Sequence, residues 1–208
     1  CIICIKKQTR KSHTRHVPYR RTLGCFNQLL YTDTVGPLKP AQRFNGAMCS
    51  HILTVQDGFT RFLVAVPIKD LTAKTIAEGI IHNWIHRFGV PHTIHSDRGK
   101  AYVSEFMNHI MKRFGIKRTV SPAYCPEANV IERSHQIIGQ LLRTNQGEII
   151  NWAKKLDTIC FVYNTTINRY LGTSPLHALT GQRPKLPVDM LFGMNESEKT
   201  SWAKYMDS

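Results

Sequence analysis

The sequence is short of acid. Its 208 residues carry 14 Asp and Glu against 28 Lys and Arg, a formal net charge of +14. A surplus of that size creates a positive field that attracts polyanions, nucleic acid first. The bland alternative is a merely soluble basic protein. No apolar run approaches the ~20 residues that a membrane span needs, and no stretch reads as a signal peptide. Internal repeats and low-complexity tracts are absent. Cysteine pairs are scarce: Cys25, Cys49, Cys125 and Cys160 stand singly, as in a reducing compartment, and only Cys1 and Cys4 have ligand spacing. The first residue is Cys1, not Met, so the chain is expected to be a fragment or a processed piece.

What is present suits a single domain. Hydrophobic residues make up 42% and charged residues 20%, enough for a core that needs no disulfide staples. Residues 1–22 are short, polar and basic, and read as a linker or arm after a Cys-x-x-Cys knuckle. Residues 23–182 hold the ordered pattern. Residues 183–208 turn polar and read as an extension or tail.

Inside 23–182 the pattern predicts strands over 28–34, 48–55 and 61–67, joined by turn signals at Gly36-Pro37 and Asp57-Gly58. A helix follows, capped by Thr72, with Ile76, Ile80, Ile81, Trp84 and Ile85 at helical spacing, and Gly89 ends it. A fourth strand is expected at 91–95. A second helix over 104–114 would present Phe106, Ile110 and Met111 on one face, and a fifth strand would span 116–120. The two prolines in 121–129 make that segment loop, and helical patterns resume over 130–142 and 148–164. The order β-β-β-α-β-α-β-α-α is that of a ribonuclease-H-like fold: a five-stranded mixed sheet, three antiparallel strands first, flanked by helices.

The carboxylates suggest chemistry. A two-metal phosphoryl-transfer site needs several carboxylates converging from distant segments, held at strand ends and helix starts. Asp33 interrupts an apolar run, where a carboxylate is costly unless something binds it. Asp97 follows the fourth strand in a turn. Glu132 falls in the first turn of a helix. Each has a plain structural reading: a strand-end residue facing solvent, an Asx turn, a residue that suits the helix dipole. In the expected sheet, however, the first and fourth strands are neighbours, and their ends would bring Asp33 and Asp97 together beside the helix carrying Glu132. Asp57 is left out, because Asp-Gly between strands is ordinary turn chemistry. Lys6, Lys7, Arg10 and Lys11 in the arm, and the Lys112, Arg113, Lys117 and Arg118 cluster, are candidate phosphate contacts, with a solvated surface as the alternative. Tyr124, in the loop before Glu132, could pack on DNA or anchor its own loop.

Five segments together resemble the integrases of retroviruses and long-terminal-repeat retrotransposons, especially the gypsy-like branch. They are Asp33-Thr34-Val35-Gly36-Pro37, Asp57-Gly58-Phe59-Thr60-Arg61, His95-Ser96-Asp97-Arg98-Gly99, the stretch Ser121-Pro122-Ala123-Tyr124-Cys125-Pro126 leading to Glu132-Arg133, and Tyr163-Asn164 followed by Gly172-Thr173-Ser174-Pro175 and Gly181. The resemblance implies that Asp33, Asp97 and Glu132 bind Mg²⁺ or Mn²⁺. It also implies trimming of a 3′ end and transfer of that end into target DNA, a homo-oligomer on double-stranded DNA, and work in the host nucleus. Cys1 and Cys4 would be half of the family's zinc site, with Zn²⁺ bound in the intact protein; two free thiols are the alternative.

One departure stands out. The family pattern has a Gly after the residue matching Asn129, and here Val130 follows directly. A residue lost inside a helix would turn Glu132 by about 100°, whereas a loss in the preceding loop can be absorbed. Pro122, Pro126 and Asn129 favour the loop. The competing readings are a decayed or domesticated integrase-like chain that holds DNA without cutting it, and a ribonuclease H on the same fold. The segment from Tyr163 to Pro175 argues against the latter.

Overall fold

A computed structural model describes residues 23–120, 130–144, 151–186 and 189. Seven strands are defined: β1 (Leu29–Val35), β2 (Gln42–Phe44), β3 (Ala47–Cys49), β4 (His51–Asp57), β5 (Leu63–Ile68), β6 (Thr93–Ser96) and β7 (Lys117–Val120). The first helix, α1, runs over Ala73–Ile80, passes through a π turn at Ile81–Ile85 and closes with His86–Phe88. Then come α2 (Glu105–Arg113), α3 (Val130–Thr144), α4 (Trp152–Thr165) and α5 (Pro175–Thr180).

The main sheet has the order β5-β4-β1-β6-β7. The pairs β1–β4 and β4–β5 are antiparallel, and β1–β6 and β6–β7 are parallel. This is the expected mixed sheet, with the first three long strands forming the antiparallel half.

Strand alternation sorts the side chains onto two faces. Leu30, Leu53, Val55, Ile68 and Ile94 point to one face and meet Ile76, Ile80 and Trp84 of α1 and Met107 and Met111 of α2. Ile52, Leu63 and Ala65 point to the other and meet Ile138 of α3 and Leu156, Ile159 and Cys160 of α4. Each fully buried aliphatic chain contributes roughly 1.5–3 kcal/mol. Caps set the helix starts: Thr72 accepts from Thr75 N, Ser104 from Met107 N and Ser174 from His177 N.

Three expectations need correction. The predicted second strand is two, β3 and β4, parted at Ser50. A β2–β3 hairpin fills the connection between β1 and β4. It turns at Asn45-Gly46, both in left-handed backbone (φ 47° and 83°) as a tight two-residue loop demands. The inward face of α2 is Met107 and Met111, with Ile110 beside them, while Phe106 is 47% exposed. The helix is therefore rotated relative to the Phe106-Ile110-Met111 stripe. Residues 148–150, at the start of the last predicted long helix, lie outside the described residues.

Candidate active site

The register of two parallel strands builds the site. Leu29, Leu30 and Tyr31 of β1 pair with Thr93, Ile94 and His95 of β6. Asp33 and Asp97 each lie two residues beyond the last of these pairs, so both carboxylates leave the same end of neighbouring strands. Their charges meet at Tyr102. Burial is the main cause that pushes the Tyr102 hydroxyl above its ordinary value. The hydrogen bond with Thr32 (3.2 Å) opposes the rise, and the charges of Asp33 and Asp97 both add to it.

Asp33 is fixed from several sides. Its Oδ1 accepts from Thr34 N (2.7 Å), and its Oδ2 lies 3.8 Å from His135 Nδ1. The other nitrogen of His135 is 2.7 Å from Thr54 Oγ1, which donates to the Asp33 carbonyl at 3.0 Å. Thr54 is the residue paired with Asp33 across β1 and β4. Burial holds the His135 imidazole down to about 4, so near neutral pH the ring meets Asp33 uncharged, and their contact is not an ion pair. Asp97 is exposed, and its Oδ1 accepts from Gly99 N (2.9 Å). The Asx-turn reading of Asp97 is therefore seen as well, and it orients the carboxylate. A side chain at residue 99 would begin 3.0 Å from that same oxygen, so glycine keeps the space clear.

Helix α3 brings the third candidate. Ile131, Ser134 and Ile138 are its buried residues against the sheet, and His135 reaches Asp33. Glu132 lies three positions before His135, one turn closer to the helix start on the same flank. This register keeps the Glu132 position on the Asp33 side despite the shortened motif. The Glu132 side chain is not among those described. Among the described residues no three His, Cys, Asp or Glu side chains form a cluster sized for a metal. The chemistry of the positions does fit a hard divalent cation: Asp33 and Asp97 offer carboxylate oxygens, and His135 Nε2 is turned to Thr54.

On the same face of the sheet, beyond Thr54, lies a polar layer that pattern reading missed. Gln56 Nε2 donates to Tyr163 OH (2.8 Å) and Arg61 O (3.0 Å), and Ser134 Oγ reaches Gln56 Oε1 (3.1 Å) and Tyr163 OH (3.2 Å). Asn164 grips the backbone of β5, accepting from Leu63 N (2.9 Å) and donating to Leu63 O (2.8 Å). The advance signals were the Tyr163-Asn164 motif and the polar residues at inward positions of α3 and β4.

Other expected residues fall as follows. Asp57 is fully buried and accepts from Asn27 N, Phe59 N, Thr60 N and Thr60 Oγ1, which makes it the organiser of its turn. Lys112, Arg113 and Lys117 are exposed. Arg118 Nη1 bonds Tyr102 O (2.7 Å) and Asn108 Oδ1, bracing the segment after Asp97. Cys1, Cys4, Lys6, Lys7, Arg10, Lys11 and Tyr124 lie outside the described residues.

Comparison with known proteins agrees with the geometry. The integrase core domain model matches residues 25–126, which include Asp33 and Asp97. The Pol polyprotein of transposon 412 from Drosophila melanogaster is 28% identical over 157 residues, covering 74% of this chain and 12% of that polyprotein. The human gypsy retrotransposon integrase-like protein 1 is 24% identical over 99% of this chain and 39% of its own length. The chain thus spans a minor part of these relatives. Among solved structures, the catalytic core domain of BIV integrase superposes with a TM-score of 0.58 at 22% identity, covering 73% of this chain and 92% of that one. A simian T-cell lymphotropic virus intasome chain gives 0.66 at 20% identity, covering 90% and 66%. Motifs, sheet order and relatives converge: residues 25–126 of this chain match the integrase core domain, and the proteins it is similar to are retroviral and gypsy-like.

Proposed function

We propose that the chain is the catalytic core of an integrase that processes the 3′ ends of retroelement DNA and joins them to target DNA. The observation that carries this is the placement of Asp33 and Asp97 at one end of two adjacent parallel strands, with the Glu132 turn on the Asp33 side. Asp33, Asp97 and Glu132 would hold Mg²⁺ or Mn²⁺. When bound there, such cations supply Lewis-acid stabilisation of phosphoryl oxygens and make the attacking oxygen more acidic.

The protein's own part is positioning. Thr54, braced by His135, holds the Asp33 backbone, the Thr34 N–H holds the Asp33 carboxylate, and the Gly99 N–H holds Asp97. Lys112, Arg113 and Lys117 offset phosphate charge on approaching DNA. In processing, water attacks phosphorus and the P–O3′ bond breaks, so the retained strand ends in a 3′ hydroxyl and the trimmed nucleotides depart with a 5′ phosphate. In joining, that hydroxyl attacks a target phosphodiester and the target's own 3′ oxygen leaves. No bond to the enzyme forms, so catalysis rests on alignment and charge neutralisation. The same reading proposes assembly as a homo-oligomer on double-stranded DNA, in the nucleus.

A strand-transfer assay with Mg²⁺ or Mn²⁺ tests this, using the intact protein and duplex DNA matching the element's end. Joined product is expected. DNA binding with no product would support the decayed or domesticated reading, which the one-residue-shorter Glu motif favours.

A further inference from the structure

Beside the start of α3 the surface changes character. Ile167 is 71% exposed and Tyr170 66%, the two most exposed large hydrophobics among the described residues. Both sit in the loop between α4 and α5, and that loop is tightly built. Asn168 N donates to Thr173 O (2.9 Å), Leu171 N and Gly172 N donate to Asn168 O, and Tyr170 N donates to Asn168 Oδ1 (2.9 Å). Thr173 Oγ1 lies 2.9 Å from His177 Nδ1. The Tyr170 backbone is therefore set before any ligand arrives. Its side chain is set too: Arg133 Nη1 donates to the hydroxyl at 3.0 Å, and the guanidinium carbon lies 5.3 Å from the ring centroid. Arg133 directly follows Glu132 in α3, so this ring is tied to the helix turn that carries the third candidate carboxylate.

An Arg–Tyr latch that steadies the helix would explain the hydrogen bond. It would not explain why the ring and Ile167 stay in water, since a latch gains nothing from exposure. Arg133 is exposed against the ring and Arg169 is exposed one position before it in the chain, and the ion pairs among the described residues involve neither. A rigid exposed aromatic held by an exposed guanidinium suits a base stacked on the ring's open face, with its phosphate near a cation. Within a duplex both faces of each base are covered, so only a terminal or unpaired base offers a free face. We propose that Tyr170, held by Arg133 and bordered by Ile167, is a stacking platform for the terminal or unpaired base of a DNA strand entering the carboxylate site. The proposal rests on the DNA-processing reading above.

The test uses the 208-residue chain and two DNA probes: a blunt duplex, and the same duplex with a short single-stranded end containing 2-aminopurine. Anisotropy reads affinity, and 2-aminopurine quenching reads stacking. Tyr170→Ala is expected to weaken binding of the frayed probe about tenfold and of the blunt duplex less than about twofold, and to abolish quenching. Tyr170→Phe keeps the ring and loses only the hydroxyl, so it should retain both affinity and quenching. Equal loss on both probes, no loss on either, a Phe variant that behaves like the Ala variant, or no quenching by the unsubstituted chain would each overturn the platform. DNA binding that is indifferent to Tyr170 would sink this inference alone, whereas no binding of either probe would sink the DNA-processing reading with it.

Discussion

The two faces of the sheet are built on opposite plans. Against α1 and α2 the contact is mostly apolar, from Leu30 and Ile94 to Trp84 and Met111, with Thr32–Tyr102 and Asn27–Trp84 as polar pairs. Against α3 and α4 the apolar cluster of Ile52, Leu63, Ile138 and Leu156 shares its space with Thr54, Gln56, Ser134, His135, Tyr163 and Asn164. A polar group buried without a partner costs free energy, so a layer of this kind persists only when it is satisfied. Here Thr54 and His135 meet Asp33, while Gln56, Ser134, Tyr163 and Asn164 tie α3 and α4 to β4 and β5 further along the sheet. The contrast places the contacts that orient Asp33 on the polar face, while both faces contribute stability.

Substitution on each face can break that division. The largest effect is expected at the carboxylates: Asp33→Asn or Asp97→Asn should lower strand transfer by about 1000-fold or more, a loss of several kcal/mol of charge stabilisation. Thermal melting should barely change, and a variant that unfolds instead would erase the distinction between the faces. On the apolar face the outcome should reverse. Trp84→Ala is expected to cost about 3–5 kcal/mol in denaturant unfolding, because it empties a buried site and frees the Asn27 amide that its indole N–H bonds at 2.9 Å.

Asn164→Ala should cost about 1–3 kcal/mol by the same measurement, since it strands the N–H and C=O of Leu63. A neutral result would mean that water replaces the side chain there. The smallest effect is expected for His135→Ala, with about 1 kcal/mol lost from the Thr54 contact. Its mark would be a lower transfer rate at unchanged DNA affinity, as suits a residue that acts through Asp33. Loss of affinity instead would place His135 on the substrate.

The sheet was legible in the sequence because its strands are short apolar runs closed by turn residues, and so was the approach of Asp33 and Asp97, which lie near the same end of two neighbouring strands. Some signals were present and passed over. Asn45-Gly46 marks the β2–β3 hairpin, and Ser174-Pro175 followed by Gly181 marks both ends of α5. The polar layer was not legible in the same way. Gln56 meets Tyr163 across 107 residues, and Leu63 meets Asn164 across 101, so each partner acquires meaning only once the helices are seated. The rotation of α2 was hidden for a related reason. Phe106 and Met107 are both apolar, and only packing against α1 selects Met107.

The central claim is that three carboxylates from distant segments form one cation site on the polar face. Titration of the chain with Mn²⁺, followed by electron paramagnetic resonance, tests it most directly when Asp33→Asn, Asp97→Asn and Glu132→Gln are each compared with the unsubstituted protein. The account predicts bound Mn²⁺ that every one of the three substitutions weakens by about tenfold or more, as removal of one nearby charge should. Mn²⁺ bound equally well by any of the three variants would contradict it.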